Sequence, residues 1–279
     1  MILNHGKQKP HGVSVIMPAW NAAKTIDSAI ASVVAQTHCR WELIVIDDGS
    51  ADGTVQIVRE WEARDSRVKL LKNRENQGVS RARNRGVSRA RYPFIAFLDS
   101  DDAWLPEKLE LQLAELDRHP EAAICCTATA FLDHRGHPLR HIFRVPDSLT
   151  YRDLLPQNQI CCSSVLARAE YVRRFPMVPD PGIHEDYALW LSILSVTSRA
   201  VGIDRALTVY RVNPAGKSGN KFRSAVMQWR TYLHIGLTRR DAAFYFIQYA
   251  LRGTKKYLKI YQGGHACEDT DALRLVFGS

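Results

Sequence analysis

The chain has 279 residues, of which 46% are hydrophobic, 24% charged and 9% aromatic. This is the composition of a globular protein with a sizeable core, so intrinsic disorder is excluded as the default state. No apolar run approaches the roughly 20 residues that a membrane-spanning helix requires. The first residues contain no apolar stretch of signal-peptide length, and we therefore expect a cytoplasmic protein.

The net charge of +9 is unevenly distributed along the chain. Residues 211–262 contain eleven Lys and Arg residues and a single acidic residue, Asp241, whereas the remainder is close to neutral. The basic character therefore belongs to a C-terminal segment. The six cysteines include no CxxC pair, which argues against a zinc or redox site and favours free, buried thiols.

Short apolar runs alternate with amphipathic stretches along the first half of the chain. Runs with β-branched residues predict buried strands, and apolar positions spaced by three or four residues predict helices. The predicted strands are residues 13–17, 42–46, 68–71 and 93–98. The predicted helices are one capped by Asn21, two at 54–64 and 79–90, and one that begins after Pro106.

The alternation becomes less regular in the second half of the chain. Residues 122–131, 161–167 and 206–212 predict further strands, and residues 187–196 predict an amphipathic helix. Strand–helix alternation of this kind predicts an α/β fold with a mostly parallel central sheet flanked by helices.

Three polar clusters follow predicted strands, at the points where those strands end. In open α/β sheets, ligands bind beyond the carboxyl ends of the strands, so we expect these clusters to line one crevice. The clusters are residues 18–21 (Pro-Ala-Trp-Asn), 47–50 (Asp-Asp-Gly-Ser) and 99–102 (Asp-Ser-Asp-Asp).

The first two clusters favour a nucleotide site in a protein that has no glycine-rich phosphate-binding loop. Neither GxGxxG nor GxxxxGK[ST] is present, which argues against dehydrogenases and P-loop hydrolases. Asp48 is suited to accept hydrogen bonds from a base or a ribose, and Trp20 to stack on a base. The alternative interpretation of residues 47–50 is a turn followed by a helix cap.

The third cluster predicts a divalent cation. Adjacent carboxylates at the end of a buried strand repel one another, and Mg²⁺ or Mn²⁺ supplies the counter-charge with its preference for oxygen ligands. The alternative is a capped helix start before Pro106, but one cap accounts for only one of Asp99, Asp101 and Asp102.

Two further groups are candidates for the same crevice. Arg83, on the predicted helix 79–90, is suited to bind a diphosphate because guanidinium donors match phosphate oxygens. Glu185 and Asp186 precede the helix at 187–196. They are either a charged helix cap or a general base that the second half of the chain contributes to the crevice.

Four motifs in this order resemble those of the family 2 glycosyltransferases. They are VSVIMPAWN at 13–21, VIDDGSADGT at 45–54, NQGVSRARN at 76–84 and FLDSDDAWLP at 97–106, and the Glu185-Asp186 pair extends the likeness to about residue 212. The resemblance implies the GT-A fold and an inverting transfer from a nucleotide-diphosphate sugar, most commonly a UDP-sugar. The implied acceptor is a hydroxyl of a glycan or of a lipid-linked molecule.

The resemblance also implies roles for individual residues. Pro18, Trp20 and Asn21 would border the nucleotide, and Asp48 would bind the base. Asp99 and Asp101 would form the DxD pair that holds the ribose and a Mn²⁺ or Mg²⁺ ion. Asp186, with Glu185 beside it, would be the catalytic base. Asp102 leaves open which two of the three aspartates are ligands.

The implied organisation is a flexible N-terminus at 1–12, a catalytic domain at 13–212, a basic helical extension at 213–262 and a tail at 263–279. Within the catalytic domain, residues 13–110 would form the nucleotide-sugar half and 111–212 the acceptor half. Two other classes stay open at this point: a sugar-1-phosphate nucleotidyltransferase and a non-catalytic nucleotide-binding protein.

The basic extension has two interpretations. Apolar residues recur at helical spacing between Phe244 and Leu258, with basic residues among them. This pattern predicts either an amphipathic helix on the inner, anionic face of a membrane or a helix that packs on the catalytic domain. Nucleic-acid binding is not expected, since no recognised motif accompanies the charge.

Overall fold

The computed structural model describes residues 11–212 and 221–262. The predicted flexible N-terminus, up to residue 10, and the predicted tail at 263–279 lie outside these ranges. The described strands form one mixed sheet in the order β3-β2-β1-β4-β9-β6-β10-β5, with β7 paired to β6 and β8 to β10. The fold is therefore α/β with a central sheet, as the alternation of strands and helices predicted.

The first half of the sheet is parallel and agrees with the sequence pattern. It contains β1 (Val13–Ala19), β2 (Trp41–Asp47), β3 (Val68–Lys72) and β4 (Phe94–Phe97). β1 lies between β2 and β4, and all three pairings in this half are parallel. The carboxyl ends of these strands therefore lie at the same edge of the sheet. Helices α1 (Ile26–Val34), α2 (Thr54–Arg64) and α3 (Val79–Arg89) connect them.

The second half of the sheet is mixed, and here the sequence pattern was less informative. The strand predicted at 161–167 is a 3₁₀ turn at Cys162–Ser164 followed by the short strand β9 (Leu166–Arg168). β9 is antiparallel to both of its neighbours, β4 and β6. The described strands of this half are β5 (Ala103–Trp104), β6 (Ile124–Leu132), β7 (Pro138–Phe143), β8 (Ser148–Leu149), β9 and β10 (Ala200–Arg211).

The remaining helices of the described residues follow α3 along the chain. They are α4 (Lys108–Arg118), α5 (Tyr151–Leu154), α6 (Ala169–Arg174), α7 (Glu185–Leu194), α8 (Lys221–His234) and α9 (Arg239–Gln262). The first helix begins at Ile26 with Thr25 as its N-cap, so the prediction that Asn21 caps it is wrong. Asn21 has a positive φ of 50° and belongs to the turn that precedes the helix.

Helix α3 lies close to the sheet at the position of a glycine. A Cβ at Gly86 would lie 2.6 Å from Ile16 Cγ2 and 2.6 Å from Ile46 Cδ1, which are side-chain atoms of β1 and β2. Ala82, one turn earlier, is fully buried. Small residues at these two positions therefore let the α3 backbone approach the strands directly.

The C-terminal helices pack on the α/β domain through one side. Met227, Thr231 and Tyr232 of α8 are buried, as is Ala242 of α9. The Tyr232 hydroxyl donates to the carbonyl of Leu155 at 2.6 Å. The structure thus contains the packing contact that was one of the two interpretations of this segment. Within the described residues, no helix is both long enough and apolar enough to cross a membrane.

Candidate active site

The three polar clusters meet at one crevice, at the carboxyl ends of β1, β2 and β4. The crevice has a volume of about 240 Å³. It is lined by Pro18, Ala19, Trp20, Asp48, Asn76, Val79, Ala82, Asp99, Ser100 and Asp101. The convergence expected from the sequence is therefore present for Pro18, Trp20, Asp48, Asp99 and Asp101, which come from three separate strand ends.

Trp20 lies at the mouth of the crevice and is 57% exposed. An exposed indole beside a polar crevice offers a flat apolar surface on which a planar ring can stack. The next residue, Asn21, is not among the lining residues. Its backbone N–H donates to Ser50 Oγ at 2.9 Å, and its Oδ1 accepts from the Ala51 N–H at 2.9 Å. Asn21 therefore links the end of β1 to the turn after β2.

Asp48 lies in the wall of the crevice, with its carboxylate bonded to the loop that leads into α3. Oδ1 accepts from Asn73 Nδ2 at 2.6 Å, and Oδ2 accepts from the Gly78 N–H at 2.8 Å. The Gln77 N–H lies 3.1 Å from both oxygens. Asp48 thus fixes the position of Asn76, which lines the crevice between these donors.

The three aspartates after β4 have different surroundings. Asp99 and Asp101 line the crevice, whereas Asp102 is buried and turned away from it. Asp102 accepts from Ser163 Oγ at 2.5 Å and from the backbone N–H of Arg211 at 3.0 Å. Asp102 therefore links the end of β4 to the 3₁₀ turn and to β10. Asp99 and Asp101 are the two aspartates that face the crevice.

Burial and neighbouring carboxylates raise the pKa of two aspartates in this cluster. Burial and the neighbouring Asp99 raise the pKa of Asp101 to about 6, although Arg211 and Arg83 oppose the shift. Burial, Asp101 and Asp99 raise the pKa of Asp102 well above its usual value. Burial makes the largest contribution to both shifts, and the like charge of the neighbouring carboxylates adds to it.

Arg83 lies beneath the crevice, not on its surface. Its side chain is 4% exposed. Nη2 donates to Asp99 Oδ1 at 2.5 Å, and Nη1 donates to Glu185 Oε1 at 3.3 Å. The role in diphosphate binding stays a prediction, and both terminal nitrogens of Arg83 face carboxylates.

Glu185 and Asp186 form the first turn of α7, so the helix begins two residues earlier than the sequence pattern indicated. Neither residue is among those that line the crevice, but Glu185 reaches it through Arg83 and Asp99. Asp186 is half-buried, and its Oδ1 accepts from the Tyr187 N–H at 2.7 Å. Burial and the adjacent Glu185 raise the pKa of Asp186, which Arg83 opposes.

Several residues that build the site were not singled out from the sequence. Asn76 and Ser100 line the crevice, and Asn73 and Ser163 hold Asp48 and Asp102. Asn76 and Ser100 lie within the family motifs quoted above, so those motifs indicated that both residues belong to the site. Ser163 lies 61 residues from its partner Asp102, and no local pattern marks it.

The residues present fit a divalent cation that shares its ligands with a substrate. Among the residues that the structure describes, no three His, Cys, Asp or Glu side chains form a metal cage. Asp99 and Asp101 still offer two carboxylates at the crevice, and Mg²⁺ is commonly held by one or two carboxylates together with substrate phosphates.

Two solved structures illustrate the architecture that this chain shares with known proteins. S. aureus TarS residues 1–349, in complex with UDP-GlcNAc, matches with a TM-score of 0.69 at 18% identity, covering 95% of this chain and 79% of that one. The mannosyltransferase PcManGT from Pyrobaculum calidifontis, in complex with GDP-Man and Mn²⁺, matches with a TM-score of 0.66 at 18% identity, covering 96% and 79%. The fold is therefore that of the GT-A glycosyltransferases.

Sequence comparison identifies the family. Residues 14–174 match the family described as Glycosyl transferase family 2. The putative teichuronic acid biosynthesis glycosyltransferase TuaG of Bacillus subtilis is 37% identical, covering 88% of this chain and 97% of TuaG. The Escherichia coli UDP-Glc:alpha-D-GlcNAc-diphosphoundecaprenol beta-1,3-glucosyltransferase WfgD is 35% identical, covering 90% and 97%. The chain belongs to glycosyl transferase family 2 and is a glycosyltransferase, as its motifs predicted.

Proposed function

We propose that this glycosyltransferase moves a sugar from a UDP-sugar to a hydroxyl of a lipid-linked glycan, with inversion at the anomeric carbon. The observation that carries the proposal is the crevice that brings Trp20, Asp48, Asp99 and Asp101 together at the strand ends. The names of the relatives support it. WfgD is a transferase from UDP-Glc to a diphosphoundecaprenol-linked sugar, and TarS binds UDP-GlcNAc.

The donor would occupy the crevice along the strand ends. Its base would stack on Trp20 and lie near Asp48, and Asp99 and Asp101 would hold the ribose and a Mn²⁺ or Mg²⁺ ion. Such a cation stabilises the negative charge of the departing nucleoside diphosphate. A cation bound there would favour the ionised form of Asp101, whose pKa burial and Asp99 raise.

Asp186 would act as the general base. Its carboxylate takes the proton of the acceptor hydroxyl as that oxygen attacks the face of the anomeric carbon opposite the leaving group. The raised pKa makes this carboxylate a stronger base than an exposed aspartate. Glu185 lies beside it and is held by Arg83, so the first turn of α7 is fixed relative to Asp99.

A thermal-shift panel of nucleoside diphosphates, with and without Mn²⁺, tests the donor assignment. A ligand that binds only the folded chain raises Tm by mass action. We expect UDP to raise Tm more than GDP, ADP or CDP, and to do so more strongly with Mn²⁺. A Tm that no nucleotide changes in either condition would overturn the assignment.

We further propose that α8 and α9 bring the enzyme to an anionic membrane surface, where a lipid-linked acceptor is found. Phe222 of α8 is 81% exposed, and Phe244 and Ile247 of α9 are each 60% exposed. These apolar side chains occur in a segment with eleven basic residues and one acidic residue. Apolar side chains among basic ones are typical of helices that lie on anionic lipid.

Liposome co-sedimentation tests this contact. We expect the double substitution Phe244→Ser and Ile247→Ser to reduce binding to vesicles that contain phosphatidylglycerol. Ala243→Ser, at an exposed neighbouring position, is the control and should bind like the wild type. Equal binding of all three proteins would contradict the proposal, as would equal wild-type binding to vesicles of phosphatidylcholine alone.

A further inference from the structure

Arg83 connects the donor side of the crevice to the helix that carries the proposed base. We propose that Arg83 is a positioning residue that holds Asp99 and Glu185 at a fixed separation, and that it does not bind the diphosphate itself. The inference rests on the proposed function, since it concerns how the two halves of that site are aligned. Its basis is the contacts that α3 makes to both halves.

The position of Arg83 is set by the depth of α3. Gly86 and Ala82 allow this helix to lie directly on β1 and β2, as described above. Arg83, which follows Ala82, is therefore directed beneath the crevice floor and is 4% exposed. At this depth the guanidinium is not among the groups that line the crevice.

Both terminal nitrogens of Arg83 are engaged from opposite sides. Nη2 donates to Asp99 at 2.5 Å, at the end of β4, and Nη1 donates to Glu185 at 3.3 Å, at the start of α7. Nη1 also lies 3.9 Å from Met177 Sδ. A phosphate that took the place of either carboxylate would leave that carboxylate without its partner in a buried ion pair, which is costly.

The neighbouring residue of α3 holds the same segment of the acceptor half. Asn84 Nδ2 donates to the Met177 carbonyl at 2.7 Å, and the Met177 N–H donates to Asn84 Oδ1 at 2.9 Å. Arg83 and Asn84, which are successive residues of α3, therefore bind the acceptor half at Glu185 and at Met177. Because Asp186 follows Glu185 directly, the position of the base depends on the same contacts.

Charge favours this role as well. Burial acts to lower the pKa of Arg83, but the carboxylates of Asp99 and Glu185 outweigh burial and raise it well above its ordinary value. The guanidinium therefore keeps its charge beneath the crevice. It also opposes the upward shift of the Asp186 pKa, so it stabilises the ionised form that a base requires.

Three variants separate positioning from phosphate binding. Arg83→Met removes both contacts at similar length, Arg83→Lys keeps the charge but lacks the two-sided fork, and Arg81→Met is the matched control at an exposed position of the same helix. We expect kcat to fall by about 10²-fold in Arg83→Met, the loss typical of a misplaced reacting group. We expect Kd for UDP to change by less than about tenfold in Arg83→Met. The kcat of Arg83→Lys should lie between those of the wild type and Arg83→Met.

Hydrogen exchange measured by mass spectrometry supplies a readout without substrate. In Arg83→Met, amide exchange should accelerate in peptides that cover residues 98–102 and 183–190, and in Arg81→Met it should match the wild type. Unchanged exchange in Arg83→Met, or a larger loss of UDP affinity than of kcat, would overturn the proposal. If Arg83→Met fails to fold, the same comparison is made with Arg83→Lys.

These readouts also separate this inference from the proposed function. A wild-type protein that transfers no sugar from any donor would contradict the proposed function, yet the exchange experiment would still decide whether Arg83 links the two segments. A wild type that transfers sugar while the Arg83→Met variant matches Arg81→Met in kcat and exchange would overturn the inference alone.

Discussion

Asp186 is a single carboxylate on which the proposed chemistry depends. Asp186→Asn keeps the size of the side chain but removes its ability to take a proton. General-base assistance contributes about 10²–10⁴-fold to rate, so we expect kcat to fall by that factor while UDP affinity stays near the wild-type value. Glu170→Gln, at an exposed carboxylate of α6, is the control. Normal turnover in Asp186→Asn would exclude this residue as the base.

The pH dependence of turnover should report the same group. A general base must be ionised, and burial together with Glu185 raises the pKa of Asp186 above the ordinary value of 3.8. The wild-type kcat should therefore decline as pH falls through a value higher than 3.8. Asp186→Asn should lose that acid limb, because an amide does not titrate in this range. A limb that persists in the variant would assign it to another group.

Lys108 places an amine in the core, away from the crevice. Its Nζ donates to Gln112 Oε1 at 2.7 Å and lies 4.0 Å from the centre of the Trp104 ring. Burial lowers the pKa of Lys108 from 10.5 to about 7. Below pH 7 both the folded and the unfolded chain are protonated there, and the folded state bears the full cost of a buried charge.

This cost should disappear as pH rises from about 7 to 10.5, because the folded chain then carries the neutral amine. The stability of the wild type relative to Lys108→Met should therefore increase with pH over this window, by at most about 1.4 kcal/mol per pH unit. Urea denaturation at several pH values measures the difference. Lys69→Met, at an exposed lysine, should show no such slope, and a flat difference for Lys108→Met would contradict the prediction.

Residue-level predictions from the sequence succeeded where strand ends determine position. Pro18, Trp20, Asp48, Asp99 and Asp101 lie together because parallel strands end at one edge. The pattern could not show that Arg83 is buried between carboxylates, since Glu185 lies 102 residues away in the chain. It also assigned Asn21 to a helix cap, whereas a positive φ places that residue in a turn.

At the scale of single elements, the packing of α3 on the sheet positions Arg83 beside Asp99 and Glu185. Gly86→Ala places a methyl group 2.6 Å from side-chain atoms of Ile16 and Ile46, so either these side chains or α3 must shift. Overpacking of this kind typically costs about 1–3 kcal/mol, and we expect that loss in urea denaturation. Ser88→Ala, at an exposed position of α3, is the control and should change stability much less. A Gly86→Ala variant as stable as the wild type would contradict this packing.

Elements were predictable where each strand is paired with a helix of clear periodicity. The first four strands and α2 and α3 follow local patterns of apolar residues. The short strands β5, β8 and β9 have two or three residues each, which is too few for a period to be visible. The direction of β9 depends on its neighbours β4 and β6, and residues distant in the chain decide it.

Across the whole molecule, one continuous sheet joins the two predicted halves. β4 of the nucleotide-sugar half and β6 of the acceptor half both pair with β9. The hydrophobic core also crosses this boundary: Phe97 and Trp190 rings lie edge to face, with centroids 6.0 Å apart. The described part of the catalytic domain should therefore unfold as one cooperative unit.

This expectation is testable by two probes of urea denaturation. Trp41 and Trp190 are buried in different halves, so tryptophan fluorescence monitors both, and far-UV circular dichroism monitors the backbone. Two variants, each retaining one of these tryptophans with the other five of the chain replaced by phenylalanine, isolate the two signals. We expect coincident midpoints for both single-tryptophan signals and for the backbone signal within each variant. Separate midpoints within one variant would show that the halves unfold independently.

The pairing of β10 has a consequence for anyone who shortens the chain. The family match ends at residue 174, before α7 and β10. A fragment that ends there would lack β10. The edge of β6 along Ile124–Leu132 would then be exposed, and β5 and β8 would lose their partner strand. An apolar strand with an open edge recruits other chains. Expression of residues 14–174 should therefore yield inclusion bodies, while a product that extends past Arg211 keeps this edge covered.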